Sequence, residues 1–258
     1  MADSKSWFPK SLKKGKIIKL TEPVSSRWKI VEKVNEHVEQ YEDTELHPSL
    51  ASAKFLCRDA SSPSNKKDVY LRIVQQIPSV KGEVSDHADR EATEFTPPEL
   101  KAYQTLKERK SPNTPKLLAW QQEIQDTSGP VPGGWITWIV FERVEGFPLG
   151  DEYGAGAFWE QSPDTQMTIR RVLVEEFSLA AKIGVLPADE GPYSAIWNDK
   201  TQTIHFVGFR DPEFFEAELP VAPDVVFQIF DIHEPPLTRE TDPYFVMLRT
   251  GVIPGSDL

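Results

Sequence analysis

The chain has one cysteine, Cys57, in 258 residues. An internal disulfide is therefore excluded, and the thiol in Ala53-Lys-Phe-Leu-Cys-Arg58 reads as a buried, inert strand residue. No run approaches the ~18 apolar residues that a membrane-crossing helix needs. Met1-Ala-Asp-Ser-Lys-Ser6 lacks the apolar core of a signal peptide, so a cytoplasmic, reducing address is expected. Basic residues are outnumbered, 29 against 40 acidic, for a net charge of -11. Polyanions would be repelled, and no basic stripe with interleaved aromatics is present, so no nucleic-acid partner is expected. The five histidines show no metal-ligand spacing, and no nucleophile triad is visible. No glycine falls between Asn35 and Leu50.

What remains is an ordinary globular composition, 39% hydrophobic and 27% charged, in a chain long enough to bury a sizeable core. Residues 1–27 read as a leader with one short strand, Lys16–Leu20. Trp28–Val34 alternates apolar and polar with period two, as a half-buried strand does. Asn35–Leu50 reads as a loop. Ala53–Arg58 and Asp68–Val74 are two further strands, separated by turn residues. Thr96-Pro-Pro-Glu99 opens a helix, with Thr96 as the expected cap. Trp135–Phe141 is an apolar, β-branched strand. Pro212–Glu216 reads as the start of a short helix.

The most informative stretch runs from Ile169 to Asp211. Ile169, Leu173, Phe177, Ala180 and Ile183 recur at spacings of three and four, which paints one apolar stripe on a helix. Gly184 follows at the expected stop. An irregular loop, Val185–Ser194, leads through Ala195–Trp197 and a polar turn, Asn198–Thr201, into the alternating Thr203–Phe209. The unit is helix, loop and hairpin.

This unit resembles the catalytic segment of the protein-kinase-like superfamily, in particular its aminoglycoside-phosphotransferase-like branch common in fungi. There a helix feeds an HxDxxxxN loop and a hairpin ending in DFG or DFE. On this chain the loop aspartate falls on Asp189, its asparagine on Ser194, its histidine on Pro187, and the metal aspartate on Gly208. The resemblance implies an α+β, two-lobed kinase-like fold, with a small antiparallel-sheet lobe over residues 28–141 and a truncated helical lobe over 142–258. It places the strand lysine on Arg72, in Val69-Tyr-Leu-Arg72, and its helical glutamate partner on Glu99. Glu142-Arg-Val-Glu-Gly146 matches the hinge, which puts Glu142 and Val144 beside a bound ligand. The glycine-rich phosphate turn has no counterpart in 35–50.

Phosphoryl transfer needs a fixed divalent metal and a positioned base. Gly208 has no side chain and Ser194 offers one neutral oxygen, so no metal site and no cofactor are expected. Two readings follow. One is a pseudokinase-type protein that binds a small molecule or a protein partner in the interlobe cleft, walled by Trp138, Phe141 and Trp197. The other is a metal-free biosynthetic enzyme of cyclisation, dehydration or isomerisation, with Asp189 and its neighbour Glu190 as acid and base. A weak phosphotransferase using Asp211 for metal is a third. Arg72 is either an anion contact or a strand arginine paired with a carboxylate. Glu99 either pairs Arg72 or sits as a first-turn carboxylate favoured by the helix dipole, and Asp189 is either the acid or a loop residue.

Overall fold

The computed structural model describes residues 6–42, 48–62, 64, 66–80, 92–187, 191–216 and 221–234. Asp189 and Glu190 lie outside the described residues, as do 81–91 and 235–258. The architecture is mixed α and β: an antiparallel six-stranded sheet, two small sheets and, among the described residues, four helices.

The large sheet contains β1 (Ile17–Leu20), β2 (Ser26–Glu39), β3 (Leu50–Asp59), β4 (Asp68–Gln76), β5 (Leu117–Ile124) and β6 (Trp135–Glu142). Their spatial order is β1-β2-β3-β4-β6-β5. The two edges meet at one bridge, where Trp120 N–H donates to the Glu22 carbonyl at 2.9 Å and Glu22 N–H to the Trp120 carbonyl at 3.3 Å. Alternation assigns each strand one residue per face. One face, with Phe55, Cys57, Leu71, Ile73 and Val140, is closed by Phe8, Ile18 and Leu20. Residues 6–20 thus join this sheet, Ile17–Leu20 as its edge strand and Phe8 as part of the cluster on this face. Burial pushes the Cys57 thiol up to about 12, which keeps it protonated and inert.

The other face, with Ile139 and Phe141, packs on the helical part. There α1 (Pro98–Glu108), α2 (Gly156–Trp159), α3 (Pro163–Ile183) and α4 (Pro223–Ile229) surround β7 (Phe147–Pro148), β8 (Val185–Pro187), β9 (Ala195–Asn198), β10 (Thr203–Phe206) and β11 (Pro212–Phe214). The expected apolar stripe of α3 is its buried face: Ile169, Leu173, Phe177, Ala180 and Ile183 are all buried. Ser162 caps the start by accepting from Thr165 N–H at 3.2 Å, and Gly184 ends the helix at φ 80.

Three expectations are corrected. Asn35–Glu39 is strand rather than loop. Its side chains are exposed or half-buried, so no apolar period marks it, and backbone pairing to β3 across two register shifts holds it. Pro212–Phe214 is a strand and not a helix: it pairs with β8, and Phe215 N–H donates to the Gly184 carbonyl at 3.0 Å. The cap position of α1 is Pro97, with no side-chain cap; the Thr96 hydroxyl accepts from Gln122 at 3.0 Å instead.

Candidate functional site

β4 and α1 bring Arg72 and Glu99 together, with Arg72 Nε 3.2 Å from Glu99 Oε2. Both side chains are largely buried, at 13% and 3% exposure. Neither atom makes an aligned hydrogen bond, so the contact is charge against charge. Burial raises the Glu99 pKa from its ordinary 4.5, and the Arg72, Arg210 and Lys54 charges oppose that rise. Three cations thus surround one buried carboxylate.

Glu99 also lines a cleft of about 470 Å³ with Ser52, Val74, Phe95, Arg210 and Asp211. Its far wall is the chain just after β10, and its near wall is the sheet face that carries Arg72. Asp211 thus lines the same cleft as Glu99. Among the described residues, no group of three or more His, Cys, Asp or Glu stands in a metal-holding arrangement.

The loop before β9 and the turn after β10 meet. Val207 N–H donates to the Ser194 carbonyl at 2.8 Å, and a Cβ on Gly208 would stand 3.8 Å from Ser194 Cβ. The Ser194 hydroxyl is fully buried and committed, donating to the Gly191 carbonyl at 2.8 Å and accepting from Gly191 N–H at 3.3 Å. Ser194 and Gly208 are thus adjacent; the first has its hydroxyl committed within the loop and the second has no side chain.

The remaining predicted residues do not form one wall. Phe141 is 6% exposed and belongs to a ladder of rings. It stacks on Tyr103 at 5.0 Å, Tyr70 lies 5.8 Å from it, and Phe209 lies 5.7 Å from Tyr103. Trp138 is three residues from Phe141 and leaves the opposite face. There it lines a groove of about 760 Å³ with Trp7, Leu12 and Ile136 and donates to Glu123 at 3.1 Å. Trp197 is fully buried in the core. Glu142 and Val144 line a third cleft, of about 430 Å³, with Lys67, Asn113, Glu176 and His205, and Glu142 pairs with Lys67. Asp189 and Glu190 lie outside the described residues.

Sequence reasoning missed Lys54. It stands directly opposite Arg72 across β3 and β4. Its ammonium lies 5.1 Å from the Tyr70 ring centroid. Burial and the Arg72 charge lower its pKa from 10.5, with Glu99 opposing. The signal was present in Ala53-Lys-Phe55, where Lys54 alternates with two core residues and must face the other way.

No protein-family model matches the chain, and no curated protein does either. Among solved structures, the chain is similar to the Cydia pomonella Granulovirus kinase PK-1, at 14% identity and a TM-score of 0.43. The similarity covers 73% of this chain, which spans about 55% of the length of that one. A likeness of this extent says nothing of activity or ligand.

Proposed function

We propose that this is a kinase-like fold that does not transfer phosphate and instead binds a small molecule in the cleft between its sheet and its helical part. The observation that carries the reading is the meeting of Ser194 and Gly208. The backbone positions that would hold a divalent ion are side by side, yet one has no side chain and the other spends its hydroxyl on Gly191. Without charge neutralisation at the phosphates the barrier to transfer rises by several kcal/mol, and each ~1.4 kcal/mol is a tenfold loss of rate.

The pairing of Arg72 with Glu99 supports the kinase-like part of the reading, because it joins a strand cation to a helix carboxylate as the resemblance implies. The cleft of about 470 Å³ beside that pair supplies the binding space.

The test is thermal unfolding with ATP and Mg²⁺, followed by an assay for phosphate release from ATP. A ligand held only by the folded chain raises the unfolding temperature by mass action. The expected result is no Mg²⁺-dependent rise and no release. Metal-dependent turnover would overturn the reading and point to Asp211 as the ion's ligand.

A further inference from the structure

Directly opposite residues in an antiparallel pair leave the same face of the sheet. Lys54 and Arg72 are such a pair. Like charges in that arrangement cost free energy. Yet this face keeps both, with one carboxylate, Glu99, near enough to be felt by either. Glu99 meets Arg72 at Nε only, and the Arg72 guanidinium makes no hydrogen bond among the described residues. Lys54 is half-buried, makes no ion pair and no hydrogen bond among the described residues, and has only the Tyr70 ring beneath it. Arg210 adds to the local positive field, which together with burial lowers the His37 pKa from its ordinary 6.5 and favours the neutral imidazole. In a chain with a net charge of -11, Lys54 and Arg72 thus stand side by side on one sheet face, next to a cleft whose lining holds Arg210, paired with Glu39 at 4.0 Å, and Asp211.

We propose that Lys54 and Arg72 together grip an oxyanion of the ligand, a phosphoryl group or a carboxylate, without a metal ion. The inference rests on the metal-free reading above and assigns the gripping residues. Lys54 is the principal contact. Its ammonium is a compact charge with three donors and no protein acceptor. Arg72 meets Glu99 at Nε, and the rest of its planar fork makes no hydrogen bond among the described residues. An oxyanion between them would replace the repulsion with two charge-assisted hydrogen bonds.

The experiment is calorimetric titration of the full chain in EDTA at low ionic strength, with pyrophosphate in one arm and citrate in the other. The two arms distinguish a phosphoryl from a carboxylate ligand. The wild type is expected to bind one of them, Lys54→Met to bind it at least ~10-fold more weakly, a loss of about 1.4 kcal/mol, and Lys54→Arg to bind it nearly as well. Lys67→Gln, in a different cleft, should bind like the wild type. Unfolding temperatures check that each variant is folded; should Lys54→Met fail that check, the neutral, more polar Lys54→Gln takes its place. Binding unchanged in the folded neutral variant, or no binding of either anion by the wild type, overturns the assignment. Neither result touches the metal-free reading, which falls only to Mg²⁺-dependent phosphate release.

Discussion

Tyr103 lies flat against Phe141, ring centroids 5.0 Å apart and planes 19° from parallel. The first ring comes from α1 and the second from β6, so this stack joins the helical part to the sheet. Phe209, beside Gly208, meets Tyr103 edge-on, centroids 5.7 Å apart and planes at 65°. None of these three rings lines the cleft beside Glu99; they are packed against one another instead. Phe141→Ala should lower stability by about 3–5 kcal/mol, the range for emptying an aromatic site in a core. Urea unfolding followed by circular dichroism measures it. A loss under about 1 kcal/mol would mean that Phe141 is free to meet a ligand, as the sequence suggested.

Glu99 gives a pH prediction with a definite sign. Its folded pKa is raised above the ordinary 4.5, mainly by burial. From 4.5 upward the folded chain therefore holds the proton more tightly than the unfolded chain. Stability is greatest with the proton on and falls as pH rises through that window. Glu99→Gln imitates the protonated form at every pH. Its stability should change less than that of the wild type between about pH 5 and pH 8, and the difference should move in favour of the variant as pH rises. Urea midpoints across that range decide it. A variant that loses ground as pH rises would show that the Arg72 contact outweighs the cost of burying the charge.

How much of this was legible beforehand depended on the range of the interaction. The α3 stripe and the Gly184 stop are local patterns, and both are realised. The Arg72–Glu99 contact was expected because a resemblance supplied the pairing; periodicity alone could not have joined β4 to α1. β11 was misread because three residues carry no period, and only the neighbouring β8 gives them a strand partner. Trp138 and Phe141 were grouped as one wall although an odd separation on a strand puts them on opposite faces. The alternation of a strand carries that signal by itself. Lys54 could be assigned a face, but only the cross-strand register shows which cation it meets.

Gly208 has φ 92, in the region where a side chain is strained, yet a Cβ there would meet nothing nearer than 3.8 Å. Conformation and space are thus separable at this position. Gly208→Ala should cost about 1–2 kcal/mol, the price of the left-handed backbone alone. Urea unfolding tests this. A cost above about 3 kcal/mol would mean a collision that the backbone does not show.

Arg170 is the test of what holds the segment after α4. Its guanidinium carbon lies 5.0 Å from the Phe158 ring, 5.3 Å from Trp159 and 5.9 Å from Phe227. Its Nη2 and Nε donate to the Ile232 carbonyl at 2.9 and 3.3 Å. One planar cation thus ties α3 to α2, to α4 and to the chain beyond it. Lysine keeps the charge and the stem but loses the plane that stacks and the fork that bonds one carbonyl twice. Arg170→Lys should lose about 1 kcal/mol and Arg170→Met about 2 kcal/mol, since methionine keeps apolar contact but leaves the carbonyl without its donor. Hydrogen exchange locates the effect: amides of Val226 and Phe230 should exchange faster in both variants, while those of β3 and β4 keep their wild-type rates. Equal stability of Arg170→Lys and the wild type would reduce Arg170 to a point charge. Uniformly faster exchange would mean that the residue supports the whole core and not this one attachment.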